Sequence, residues 1–199
     1  MSLRFSSLSK RFEDALIFAN QLHARQKRKG TSVPYISHLL GVASLVLEDG
    51  GNEDQAIAAL LHDAVEDQGG EETLLLIRQR FGYKVANIVR GCTDSMVPPK
   101  PPWKERKSKY LARLGGEPVE TQRVSLADKV HNARSILTDL RREGEKTWKR
   151  FNGGKRGTLW YYRELVRIFR ECNHSPLVLE LEWVVGEIER LSDKFDINE

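Results

Sequence analysis

Apolar residues recur along the 199-residue chain at a spacing close to 3.6, and no run alternates apolar and polar residues around a hairpin turn. The pattern predicts an all-α protein. Phe12, Leu16, Ala19 and His23 share one face of a first helix, which leads into the basic, helix-ending stretch RQKRKGTSVP. A second helix starts after Pro34 with Ile36, Leu39, Leu40, Ala43 and Leu47 turned inward, and stops at Gly50-Gly51. Asn52, with Gln55 three residues on, forms the capping box of a third helix that carries LLHDAVED and ends by Gly69-Gly70. Two shorter helices are expected at EETLLLIRQRF and YKVANIVRGC. The segment TDSMVPPKPP holds four prolines and is predicted to be the longest irregular connection.

Beyond it, WKERKSKYLARL reads as a basic amphipathic helix closed by Gly115-Gly116, and a long helix is predicted from about Val119 to Arg142. A basic, glycine-broken loop, FNGGKRG, separates it from an aromatic helix around LWYYRELVRIF, whose Trp160, Tyr161, Tyr162 and Phe169 are expected in the core. Ser175-Pro176 opens the last helix. Leu177, Leu181, Val184, Ile188, Leu191 and Phe195 give that helix a near-heptad seam, which suits either the body of the protein or a second subunit, so a homodimer stays open.

LLHDAVED, residues 60 to 67, interrupts this apolar pattern. One histidine and three acids arrive where the helix should be burying itself, and burying unpaired charge is costly. On a continuous helix His62 stacks with Glu66 and Asp63 with Asp67, while His62 and Asp63 sit about 100° apart at one level. In the long helix Asp128, His131, Asn132 and Ser135 form one stripe, opposite Leu126, Val130, Ala133, Leu137 and Leu140. Imidazole with carboxylate suits Mn, Fe, Co or Zn better than Mg or Ca. A plain polar helix end is the competing reading of His62-Asp63 alone.

Composition narrows the setting. Lys and Arg number 32 against 28 Asp and Glu, a formal charge of +4, which favours a phosphate-bearing partner. The two cysteines, Cys92 and Cys172, form neither a disulfide framework nor a thiolate zinc motif, so a reducing cytoplasm is expected. No apolar run reaches the roughly 18 residues that a membrane span requires, and MSLRFSSLSKRF lacks a long apolar run, so a soluble, unsecreted protein is expected. The length suits one domain spanning residues 1–199.

PYISHLLGVA, ALLHDAVED and SLADKVHNARSI, in that order, resemble the HD-domain phosphohydrolases, and within them the hydrolase domain of the RelA/SpoT alarmone enzymes. HDAVED is similar to the HDxVED of that branch, LADKVHN to its LADRLHN, and RKGTSVPYISH to its RKxGxPYxxH. The motif core covers residues from about 10 to 140, with the helices from about 143 to 199 completing the domain. The chain therefore resembles a stand-alone small alarmone hydrolase, an all-α HD fold.

The resemblance implies metal ligation by His38, His62, Asp63 and Asp128, with Mn²⁺ as the usual metal. It implies that Glu66 and Asp67 orient or deprotonate the attacking water. Asn132 falls at the nucleotide sugar, Arg28 and Lys29 at its base and phosphates, and Tyr35 and Ser135 near the nucleotide. The implied reaction removes the 3′-pyrophosphate of guanosine tetra- or pentaphosphate. Alternatives are hydrolysis of an adenosine analogue, of NADPH or of a deoxynucleotide, or a nucleotide-binding module without turnover. Leu39, Ser125, Lys129 and Val130 depart from the common family residues without removing a ligand.

The remaining basic and histidine residues carry weaker signals. Lys104, Arg106, Lys107, Lys109 and Arg113 read first as a solvated helix face, and no nucleic-acid-binding motif accompanies them. His23 is expected to support the core beside the site, and His174 to lie on the surface.

Overall fold

The computed structural model describes residues 7–96 and 99–196; Val97 and Pro98 of the proline-rich segment, and the Phe195 side chain of the predicted seam, lie outside the described residues. These residues are all-α, with no strand and one isolated backbone bridge, between Lys27 and Pro34. No helix among them is long and apolar enough to cross a membrane. The chain divides into two compact units, residues 1–98 and 99–199.

The first unit contains α1 (Lys10–Leu22), α2 (Ile36–Glu48), α3 (Glu53–Leu61), α4 (Ala64–Asp67), α5 (Gly70–Phe81) and α6 (Tyr83–Cys92). Its centre is α3, which packs against α1, α2 and α6. Every residue from Gln55 to Leu61 is buried, as expected for a helix apolar all round. The capping box that starts α3 forms as predicted, Asn52 Oδ1 accepting from Gln55 N at 3.1 Å and Gln55 Oε1 from Asn52 N at 3.0 Å. Leu39 and Ala43 face inward as predicted, but Leu40 is exposed, because the inward stripe of α2 runs through His38, Leu39, Val42 and Val46.

The third helix departs from its expected course. It stops at Leu61, and His62-Asp63 form a turn before the short α4, so LLHDAVED is not one continuous helix. Asp63 has φ −94° and ψ −5°, off the helical values, and its carboxylate is held by groups distant in sequence. A local period cannot register such partners.

The second unit contains α7 (Trp103–Leu114), α8 (Val119–Glu143), a 3-10 segment (Gly144–Arg150), α9 (Gly154–Cys172) and α10 (Pro176–Asp196). The apolar stripe of α8 is buried as predicted: Leu126, Val130, Ala133 and Leu140 have no exposure and Leu137 is 4% exposed. It packs on α10, and Leu177, Leu181, Val184 and Ile188 of the near-heptad seam are buried within the unit. Gly144, at φ +60°, ends α8 in a backbone conformation that favours glycine.

The stretch FNGGKRG is partly helical instead of a loop, since α9 begins at Gly154. Tertiary contacts hold it. Lys155 Nζ donates to Ser192 O at 3.0 Å and pairs with Glu145 at 3.1 Å. The Trp103 ring lies so close to the Gly153 backbone that a Cβ there would meet ring atoms at 2.7 Å. Of the aromatic residues expected in the core, Tyr161, Tyr162 and Phe169 are buried, while Trp160 is half-buried.

The basic cluster of α7 is less solvated than expected. Arg106 is buried and its Nε donates to Pro101 O at 3.1 Å. Lys104 lies over the Trp160 ring and Lys107 over Tyr161, 5.1 Å from its centroid. Lys109 pairs with Glu105 along the helix, and Arg113 with Glu117 beyond its end. The exposed Lys109–Glu105 pair adds little stability.

Candidate active site

In the first unit the site is built from three segments: the connection between α1 and α2, the start of α2, and the turn after α3. The connection is a compact loop, with Arg28 N donating to Val33 O at 2.9 Å, Tyr35 N to Gln26 O at 3.0 Å, and Thr31 Oγ1 to Arg28 O at 3.0 Å. These bonds carry the chain back on itself and deliver Tyr35 to the N-cap of α2, three residues before the buried His38. Arg28 lies over the Tyr35 ring, 5.8 Å from its centroid. Lys29 is exposed in the same loop.

The turn after α3 brings His62 and Asp63 to one point instead of spreading them around a helix. His62 Nε2 is 3.1 Å from Asp63 Oδ2, and His38 Nε2 is 3.6 Å from the same oxygen. A ring nitrogen of His38 and one of His62 lie within 4.8 Å of each other. The two rings meet edge to face, centroids 5.2 Å apart, and both side chains are buried. Tyr35 Oη donates to Asp63 Oδ2 at 2.6 Å, a bond the sequence did not disclose for a residue expected at the nucleotide.

The tautomer of His62 follows from its other contact. Nδ1 donates to the Ala59 carbonyl at 2.8 Å, so in the neutral ring the lone pair is on Nε2. That lone pair faces a carboxylate oxygen, an arrangement relieved by a cation between them. A histidine fixed by its backbone partner, a second histidine and a carboxylate oriented by a phenol fit a divalent transition metal and the supporting contacts such a site needs.

The acids that follow take different positions. Glu66 is half-buried on α4, and Asp67, at its end, is exposed. Asp67 Oδ2 accepts from Gln26 Nε2 at 2.8 Å. Gln26 Oε1 in turn accepts from His23 Nδ1 at 2.7 Å and from Gln68 Nε2 at 2.6 Å. His23 is buried, as expected, and its ring stacks on Tyr35 at 5.1 Å and 18°. Burial pushes the His23 imidazole below its ordinary value, outweighing the hydrogen bond to Gln26. Sequence reasoning overlooked Gln26 and Gln68; for Gln26 the available signal was an amide inside a basic stretch.

In the second unit the predicted polar stripe of α8 is present. Asp128 is buried, at 6% exposure, and its Oδ1 accepts from Asn132 Nδ2 at 2.5 Å. Its other oxygen pairs with Lys129. Burial opposes the charge on Lys129, but the Asp128 carboxylate and the neighbouring Tyr161 and Tyr110 hold its pKa well above the ordinary lysine range. Ser135 Oγ donates back to the His131 carbonyl at 3.1 Å. Away from this stripe, His174 is exposed as expected.

Known proteins resemble this chain in sequence and in fold. A family model described as the HD domain matches residues 15–159. The guanosine-3′,5′-bis(diphosphate) 3′-pyrophosphohydrolase MESH1 of Xenopus tropicalis is 39% identical over 138 residues, 68% of this chain and 72% of that protein. MESH1 of Homo sapiens is 36% identical over 126 residues, 62% of this chain and 68% of that protein. The solved structure of a metazoan orthologue of SpoT that hydrolyses ppGpp has a TM-score of 0.72 at 24% identity, covering 92% of this chain and 97% of that one. A solved structure from Listeria monocytogenes has a TM-score of 0.68 at 30% identity, covering 76% of this chain and 97% of that one. With the family model spanning most of its length, and with relatives above 30% identity matched over two thirds of theirs, this chain belongs to the HD-domain family.

Proposed function

We propose that this chain is a metal-dependent hydrolase that removes the 3′-pyrophosphate of guanosine tetra- or pentaphosphate, giving GDP or GTP and pyrophosphate. The observation that carries this reading is the convergence of His38 Nε2 and His62 Nε2 on one oxygen of Asp63. The names of the MESH1 relatives supply the substrate. The two compact units are read as one hydrolase domain, because the family model runs from residue 15 to residue 159.

In this reading His38, His62, Asp63 and Asp128 hold the metal, taken to be Mn²⁺, although another divalent transition metal suits the same donors. A bound divalent metal supplies Lewis acidity at the phosphoryl group and a more acidic water. The protein's own residues do the rest. Glu66 and Asp67 stand on α4, directly after the ligand pair, where either carboxylate takes a proton from the attacking water or aims it. Arg28 and Lys29 meet the negative charge of the nucleotide from the α1–α2 connection. Asn132, held to Asp128, serves the ribose, and Ser135 lies one turn beyond His131 on the same stripe. Tyr35 orients Asp63 and borders the nucleotide.

The test is product analysis with Mn-loaded protein offered guanosine tetraphosphate, its adenosine analogue and NADPH in parallel. Pyrophosphate with GDP from the first, formed faster than any product from the others, is the expected result. Binding of all three without turnover, with metal confirmed bound, overturns it in favour of a nucleotide-binding module.

A further inference from the structure

We infer that Gln26 is a positioning residue for the reaction: its amide clamps the Asp67 carboxylate at one end and the buried His23 ring at the other. The inference rests on the proposed role of Asp67 at the attacking water. Asp67 needs such a clamp. It stands at the exposed end of a four-residue helix, where holding a side chain in one rotamer costs conformational entropy. A base held loosely loses the advantage of orientation, and a misplacement of about 1 Å costs on the order of a hundredfold in rate.

The geometry assigns each end of the amide. A carboxylate accepts only, so the group 2.8 Å from Asp67 Oδ2 is the Gln26 NH₂. The carbonyl end therefore accepts, from Gln68 Nε2 at 2.6 Å and from His23 Nδ1 at 2.7 Å. The backbone is held as firmly, with Gln26 N donating to His23 O at 3.0 Å and Gln26 O accepting from Tyr35 N at 3.0 Å. His23 must then carry its proton on Nδ1. Its Nε2 is buried with no hydrogen-bond partner among the described residues in either tautomer, so the Gln26 carbonyl alone sets the proton on Nδ1.

His23 also stacks on Tyr35, which bonds Asp63, so one buried ring lies behind both the ligand carboxylate and the proposed base. No other side chain of similar length offers Asp67 a donor and His23 an acceptor together. Glutamate keeps the shape and the acceptor but sets a second carboxylate against Asp67, alanine removes both bonds, and asparagine is one methylene too short.

The experiment measures kcat and KM for Gln26→Ala, Gln26→Glu, Asp67→Asn and the double variant Gln26→Glu with Asp67→Asn, together with the ring ¹⁵N spectrum of His23 in protein loaded with diamagnetic Zn²⁺. Gln26→Ala should lower kcat by roughly ten- to a hundredfold with KM little changed. Gln26→Glu should be at least as damaging despite its matching shape. A purely structural role predicts the reverse order. In the double variant the amide introduced at position 67 can donate to the carboxylate introduced at position 26, so thermal stability should return while turnover stays low.

His23 should appear as the Nδ1-protonated tautomer in the parent and lose that signature in Gln26→Ala. An Nδ1-unprotonated His23, or wild-type kcat in Gln26→Glu, overturns the inference. Full turnover in Asp67→Asn overturns instead the role given to Asp67, and the His23 spectrum still reports on the clamp.

Discussion

Removing the hydroxyl of Tyr35 isolates one contact of the proposed metal centre. Tyr35→Phe deletes the donor to Asp63 Oδ2 at 2.6 Å but keeps the ring, which stacks on His23 at 5.1 Å and meets His38 edge-on at 5.6 Å. Packing is therefore preserved, and the loss is that of a hydrogen bond to a charged acceptor, worth about 1.5–3 kcal/mol. The Asp63 side chain is 22% exposed, so water partly replaces the donor and the lower end applies. About 1.5 kcal/mol corresponds to roughly tenfold in a binding constant. Mutations of groups that orient metal ligands cost a similar 10- to 100-fold.

The assay is competition for Mn²⁺ against a fluorescent chelator, followed by turnover at saturating metal. The account predicts metal affinity weakened about tenfold, with kcat largely recovered once metal saturates. Unchanged metal affinity, with a large rise in KM at saturating metal, would refute the reasoning and leave Tyr35 as a nucleotide contact only.

Other predictions follow from the same structure. Asp63→Ala and Asp128→Ala should each abolish both metal content, read by elemental analysis, and turnover, and wild-type activity in either variant contradicts the ligand assignment. Asn52→Ala should cost about 1 kcal/mol through loss of the capping box, measured by denaturant unfolding, with the chemistry unaffected at 25 °C. Leu140→Ala, in the buried stripe of α8, should cost about 2–5 kcal/mol in the same assay. His23 has a folded-state pKa below its ordinary 6.5, so the unfolded chain binds its proton first on acidification. Its contribution to stability is whole above pH 6.5 and is lost as pH falls from there to the folded value; unfolding midpoints across that window should flatten in His23→Gln.

The parts of this protein legible in its sequence are those governed by neighbours a few residues apart. The capping box at Asn52, the α7 boundaries and the buried stripe of α8 all follow from spacing and cap chemistry. The misread parts depend on distant partners. The local period places His62-Asp63 inside a helix, but Tyr35, 28 residues away, holds the carboxylate in a turn. FNGGKRG reads as a loop for its glycines, yet Trp103 lies against them and Lys155 reaches across to Ser192.

In the site, histidines and acids are recognisable by type and order. Gln26 is not, since an amide in a basic stretch has no distinctive pattern until His23 and Asp67 are seen on either side of it.

The central claim is most directly tested by ³¹P NMR of guanosine tetraphosphate incubated with the Mn-loaded protein, after removal of the paramagnetic metal. The account predicts loss of the 3′-diphosphate signals, matched by free pyrophosphate, with the 5′-diphosphate intact and no reaction in Asp63→Ala. Release of orthophosphate, loss of the 5′-diphosphate, or equal reaction in Asp63→Ala would contradict it.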